Sequence, residues 1–144
     1  MAILDNRINQ RIEDKDTRVS VGIELPFGRQ PGTGDGYFTS TKTTIDAIKN
    51  NIKTLLLTEK GERLFQPNLG MNLRRFLFEQ TTENTVIEIE NDIVSTFEKW
   101  LPFVQLNDIR IDIGNQDKNQ IKIGIDFNVV NIPTELQSVG VVLE

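Results

Sequence analysis

The 144-residue sequence contains neither cysteine nor histidine. Without cysteine there is no disulfide framework and no thiolate metal site. Without histidine there is no Ser-His-Asp or Cys-His machinery, no imidazole-ligated zinc and no ordinary proton shuttle near neutral pH. Clustered basic charge is missing too. Lys and Arg number 16 against 21 Asp and Glu, a formal net charge of -5, and Arg74-Arg75 is the one adjacent basic pair. Nucleic acid and anionic membrane are therefore poor partners, since both are held by clustered Lys and Arg. No apolar run approaches membrane-spanning length, and the opening "MAILDNRINQ" lacks the basic-then-apolar order of a signal peptide, which leads us to expect synthesis in the cytoplasm. What remains, 38% hydrophobic and 26% charged residues, is an ordinary folded domain with one core.

Three regions follow one another. In the first, Leu4, Ile8 and Ile12 recur every four residues, one stripe of a short helix that needs a partner surface or the domain's own flank to hold it. "RVSVGIELPFG" (18–28) then alternates as an edge strand, with Val19, Val21, Ile23 and Leu25 on one face and Pro26 ending it. "GRQPGTGDG" (28–36) lacks the Gly-Lys-Ser/Thr ending of a phosphate loop and reads as a connector. We take 1–40 as an N-terminal extension and 41–144 as the main domain.

The second region is helical. Ile45, Ile48, Ile52, Leu55 and Leu56 step by three and four, with an N-cap from Thr41, Thr43 or Thr44 and a stop at Gly61. "NLRRFLFE" (72–79) predicts a short helix capped by Asn72, with Leu73, Phe76 and Leu77 inward. Thr81 or Thr82 opens a long helix through Val86, Ile89, Ile93, Phe97 and Trp100, closed by Pro102.

The third region is β. "IRIDI" (109–113) and "IKIGIDFNV" (121–129) alternate around the turn "GNQDKNQ", which makes an antiparallel hairpin. Val104 and Leu106 join the same strand as Ile109 only through a one-residue slip near Asn107-Asp108, a bulge. The final stretch "SVGVVLE" (138–144) either pairs with its own sheet or is offered to another chain's edge; Val139, Val141 and Leu143 form its apolar face. The expected fold class is α+β: three helices packed on one face of a small antiparallel sheet with a C-terminal β-hairpin.

Between the first two main helices lies "TEKGERLFQPNLG" (58–70), rich in charge and in turn residues. Gly61, Pro67 and Gly70 shape a turn, while Leu64 and Phe65 are apolar enough to plug the gap between the helices. Arg63 either reaches back to the carbonyls at the helix end or forks onto Glu79 or Glu88. Glu59 and Glu62 sit among Lys60 and Arg63, which keep them ionised, and an ionised acid cannot protonate a leaving group. The loop therefore reads as scaffold, with no catalytic, cofactor or metal residue assigned.

The block "LLLTEKGERLFQPNLGMNLRRFLFE" resembles the signature of the baseplate wedge proteins of contractile phage tails, the family long labelled gene product twenty-five-like lysozyme, with TssE as its type VI secretion relative. The matching positions are Leu55, Leu56, Thr58, Gly61, Arg63, Pro67, Gly70, Leu77, Phe78 and Glu79. "PFGRQPGTGDGYFTST" resembles a leader seen in many members. One corner departs: where the family often carries an aromatic followed by Glu-Pro-Arg, this chain has Trp100-Leu101-Pro102-Phe103, which replaces a charged pair by an apolar contact.

The resemblance implies a structural role in the virion as sheath initiator. Such a protein sits in six copies around the tail tube, bound to other wedge proteins and sharing strands with the first ring of sheath subunits, and needs no cofactor. The competing class is the peptidoglycan hydrolase of the old label, with Glu59, Glu62, Glu79, Glu83, Glu88 and Glu90 as available acids. A regulatory binding module is the third, since the architecture also occurs in a bacterial anti-adaptor protein.

Overall fold

A computed structural model describes residues 18–25, 27, 38–79, 82–114, 120–130 and 136–143. The expected N-terminal stripe, the glycine-rich connector and the tip of the hairpin turn lie outside these residues. The described residues divide into two compact units, within Met1–Ile52 and within Lys53–Val130 with Thr134–Glu144.

In the first unit, β1 (Gly22–Ile23) pairs antiparallel with β2 (Ser40–Thr41). The expected strand is thus shorter than its alternation suggested and belongs to a two-stranded sheet of its own. Val19, Val21 and Ile23, predicted to share a face, are all exposed. Helix α1 (Thr44–Leu57) begins here. Thr43 is the cap: its Oγ1 accepts from the Asp46 backbone N–H at 3.2 Å. Asn50, on the same helix, donates its side-chain amide to the Ile23 carbonyl at 3.2 Å, which ties β1 to α1. Ile48, Ile52, Leu55 and Leu56 are buried along α1, as the three-four spacing requires.

The second unit holds the rest. Helix α1 stops at Leu57, before Gly61: the Thr58 N–H still donates to the Thr54 carbonyl at 2.9 Å, where the Thr58 hydroxyl also donates at 2.6 Å, but the next N–H, that of Glu59, turns to the Glu62 carboxylate at 3.1 Å. The segment read as a short α-helix is a 3-10 turn, Leu73–Leu77, so the described residues contain two α-helices where three helices were expected. Leu73, Phe76 and Leu77 are nonetheless buried. Asn72 does not cap it with its side chain; that oxygen accepts from the Lys60 N–H instead, at 3.3 Å. Helix α2 (Glu83–Trp100) starts at Thr82 in a reciprocal capping box with Thr85. It buries Ile89, Ile93 and Phe97.

Strands β3 (Val104–Ile113), β4 (Ile121–Val129) and β5 (Gln137–Leu143) form an antiparallel sheet in the order β3-β4-β5. The expected slip in β3 is present, between Leu106 and Asp108. Alternation sends Ile121, Ile123, Ile125, Phe127 and Val129 to one face, joined there by Val139, Val141 and Leu143; all are buried. Each such side chain contributes roughly 1.5–3 kcal/mol relative to an exposed one, so this face and the α2 stripe supply most of the unit's core.

Candidate functional site

The loop 58–70 is held by backbone hydrogen bonds at both ends. Gly61 N–H donates to the Pro67 carbonyl at 2.8 Å, and Met71 N–H donates to the Thr58 carbonyl at 2.8 Å. Gly70 has φ of +104°, and a Cβ there would stand 2.2 Å from the Thr58 carbonyl oxygen, so both conformation and space demand glycine. Gly61 has φ of +96° with nothing within 4 Å of a Cβ, so only conformation demands it. Thr58, Gly61, Pro67 and Gly70 thus act together: they return the chain on itself and bury Met71, which sequence reasoning overlooked.

The charged residues distribute differently from expectation. Glu62 accepts from the Glu59 N–H at 3.1 Å, and Glu59 pairs with Arg74 at 3.4 Å. Glu88 is taken by Arg75 at 3.0 Å, with Asp92 also near that guanidinium at 3.5 Å. Arg75 also lies over the Phe76 ring, 4.4 Å from its centroid. Arg63 is exposed, and among the described residues no carboxylate or carbonyl holds it. Arg75 does the tying that was assigned to Arg63, because it projects from the 3-10 turn toward α2. Leu64 and Phe65 fill no gap: they are 92% and 96% exposed at the loop tip. Phe78 and Glu79 are exposed as well, while Leu77 is buried.

At the helix–strand corner Trp100 ends α2 with Lys99 Nζ 5.3 Å from its ring centroid, and Pro102 is exposed. The corner is closed by Leu101, which is buried, and by the Val130 N–H donating to the Phe103 carbonyl at 2.9 Å.

Val139, Val141 and Leu143 take the first of their two alternatives. They face the chain's own core, and β5 pairs with β4 through seven consecutive residue pairs without a register shift. Among the described residues the other edge of β5 pairs with no strand. The solvent face of the sheet carries residues that the sequence reading passed over. Arg110 Nη2 donates to both carboxylate oxygens of Asp126 at 2.7 Å. Beside that pair lie Gly124 and Gly140, direct partners across β4 and β5. Their signal was legible: a single glycine in the middle of an alternating strand is a departure that wants a reason.

The family model for baseplate wedge protein gp25 matches residues 43–134. The chain belongs to that family. A baseplate wedge protein gp25 from Enterobacteria phage T4 is 28% identical over 93 residues, 65% of this chain and 70% of that protein. A chain of the anti-feeding prophage baseplate, solved by cryo-electron microscopy with six-fold symmetrisation, superposes with a TM-score of 0.60 at 25% identity, over 77% of this chain and 86% of that one. A crystal structure described as a putative tail lysozyme from Geobacter sulfurreducens gives a TM-score of 0.60 at 21% identity, over 71% and 93% of the two chains, which is a likeness of fold. The matched span runs from the start of α1 to the end of β4, so the tied-down loop, the corner and the paired strands β3 and β4 all lie within the part this gp25-family chain shares with its relatives.

Proposed function

We propose that this chain is a structural wedge component of a contractile-tail baseplate that seeds the sheath by accepting a strand along the edge of β5 that faces away from β4. The observation that carries this reading is the contrast between the two sheet edges. β3 carries the usual safeguards against pairing, a bulge and the charges Asp108, Arg110 and Asp112. β5, "QSVGVVL", carries no charge, no proline and no bulge. A straight, uncharged edge is a template for an incoming strand, whose main-chain bonds give affinity. The role differs in one respect from donation of the terminal stretch: the apolar face of β5 is spent on the chain's own core, so β5 receives a strand. Membership of the wedge family and likeness to a baseplate chain support a position among other wedge proteins, in six copies about the tail tube.

The same arrangement favours a structural over a hydrolytic role. Of the acids a hydrolase would draw on, Glu59, Glu62 and Glu88 are engaged with Arg74, a backbone N–H and Arg75, and Glu79 and Glu90 are exposed. A glycosidase needs one acid in an apolar surround facing a second. Cross-linking mass spectrometry on isolated tail particles tests the assignment. Lys122 lies beside Val142 of β5 in the sheet register and is expected to cross-link to a sheath subunit. Cross-links only to tip or tube proteins would overturn the sheath role.

A further inference from the structure

Gly124 and Gly140 stand side by side in the centre of the sheet's solvent face, with Arg110 the partner of Gly124 on the far side. Glycine weakens a strand interior, so a fold retains it there for a positive φ or a close approach. Neither applies among the described residues. The positive-φ glycines among the described residues are Gly61 and Gly70. A Cβ on Gly140 would meet nothing within 4 Å, and one on Gly124 would meet the Arg110 side chain at 3.8 Å, an ordinary contact. The two missing side chains leave an open trough of about 310 Å³ across β4 and β5, with Lys122 on one side and Ser138 on the other. Arg110 stands at its β3 end. Its guanidinium is fixed there by Asp126 at 2.7 Å and by Asp108 at 3.6 Å.

We propose that this trough receives an aromatic side chain from the strand that pairs with β5. The inference rests on the strand-accepting role proposed above and adds to it what selects the incoming strand. A strand laid against β5 places one residue directly opposite Gly140, with its side chain on the solvent face. From there a flat ring lies back across Gly140 and Gly124, covers their bare backbone and reaches the Arg110 plane, whose charge suits a π-face. A small side chain would leave the trough empty. A charged one would meet a guanidinium already matched by two carboxylates.

The test uses the full-length chain. Gly124→Val and Gly140→Val fill the trough, and both should melt at or above the wild-type temperature, because valine favours a strand. Gly140→Ala, whose Cβ meets nothing, serves if either valine variant fails to fold. Tails are assembled with each variant in place of wild type, and their sheath content is measured. In parallel, hydrogen exchange of β5 is compared between free chain and wild-type particle. The expected result is protection of β5 in the particle and, with the folded variants present in the baseplate, sheathed tails reduced by about tenfold. Protection of β5 with undiminished sheath on tails that carry the folded variants overturns the trough while leaving strand acceptance intact. Unprotected β5 in the particle overturns both.

Discussion

At the scale of residues, two glycines in one loop have different reasons to be there, and the difference can be measured. Gly70→Ala meets both a left-handed backbone and the Thr58 carbonyl at 2.2 Å, and should destabilise by about 3 kcal/mol. Gly61→Ala meets only the backbone conformation and should cost about 1 kcal/mol. Thermal or urea unfolding of the two variants ranks them; equal losses would mean that the close approach at Gly70 relaxes without cost. Arg63→Ala should change stability by less than about 0.5 kcal/mol, since no described partner holds that side chain. A loss several times larger in the isolated chain would restore the tying role to Arg63. The spacing of the loop made its turn residues legible but not its side-chain partners. Arg63, Arg74 and Arg75 lie within one short stretch, and which of them meets Glu88 depends on the path of the 3-10 turn, a tertiary property. Leu64 and Phe65 were misread for a related reason: hydrophobicity states a preference for burial, whereas a loop tip fixed by Gly61, Pro67 and Gly70 leaves them in water.

At the scale of elements, periodic segments were the readable ones. β4 was delimited correctly from alternation alone, and the bulge in β3 followed from the failure of Val104 and Leu106 to share phase with Ile109. Period two reports a face buried against a core, so it identifies inward residues such as Phe127 and is silent about edges. It overreached at Val19, Val21 and Ile23, where an alternating run faces water in a two-residue strand. The edge of β5 is where function is argued, and it can be altered without touching the core. Val142 points to solvent, 49% exposed. Val142→Lys should therefore leave stability within about 0.5 kcal/mol yet guard the edge as lysine does elsewhere. Tails assembled with this variant should contain it in the baseplate and carry little sheath. Normal sheath length would show that β5 is not the seeding edge. Deletion of residues 138–144 is a poorer test, since it removes Val139, Val141 and Leu143 from the core.

At the scale of the whole molecule, the net charge of -5 and the dispersed basic residues fit a protein that meets other proteins. Among the described residues no helix is long and apolar enough to cross a membrane. Purified chain should leave the turbidity of a peptidoglycan suspension unchanged; clearing of the suspension would bring the hydrolase reading forward. Seeding of the sheath through the chain's own sheet can be seen in a cryo-electron microscopy reconstruction of the tail at the baseplate–sheath junction, at a resolution that traces strands. The expected map shows a fourth strand, continuous with a sheath subunit, hydrogen-bonded along Gln137–Leu143. A three-stranded sheet whose β5 edge faces solvent or a non-sheath protein would contradict that seeding.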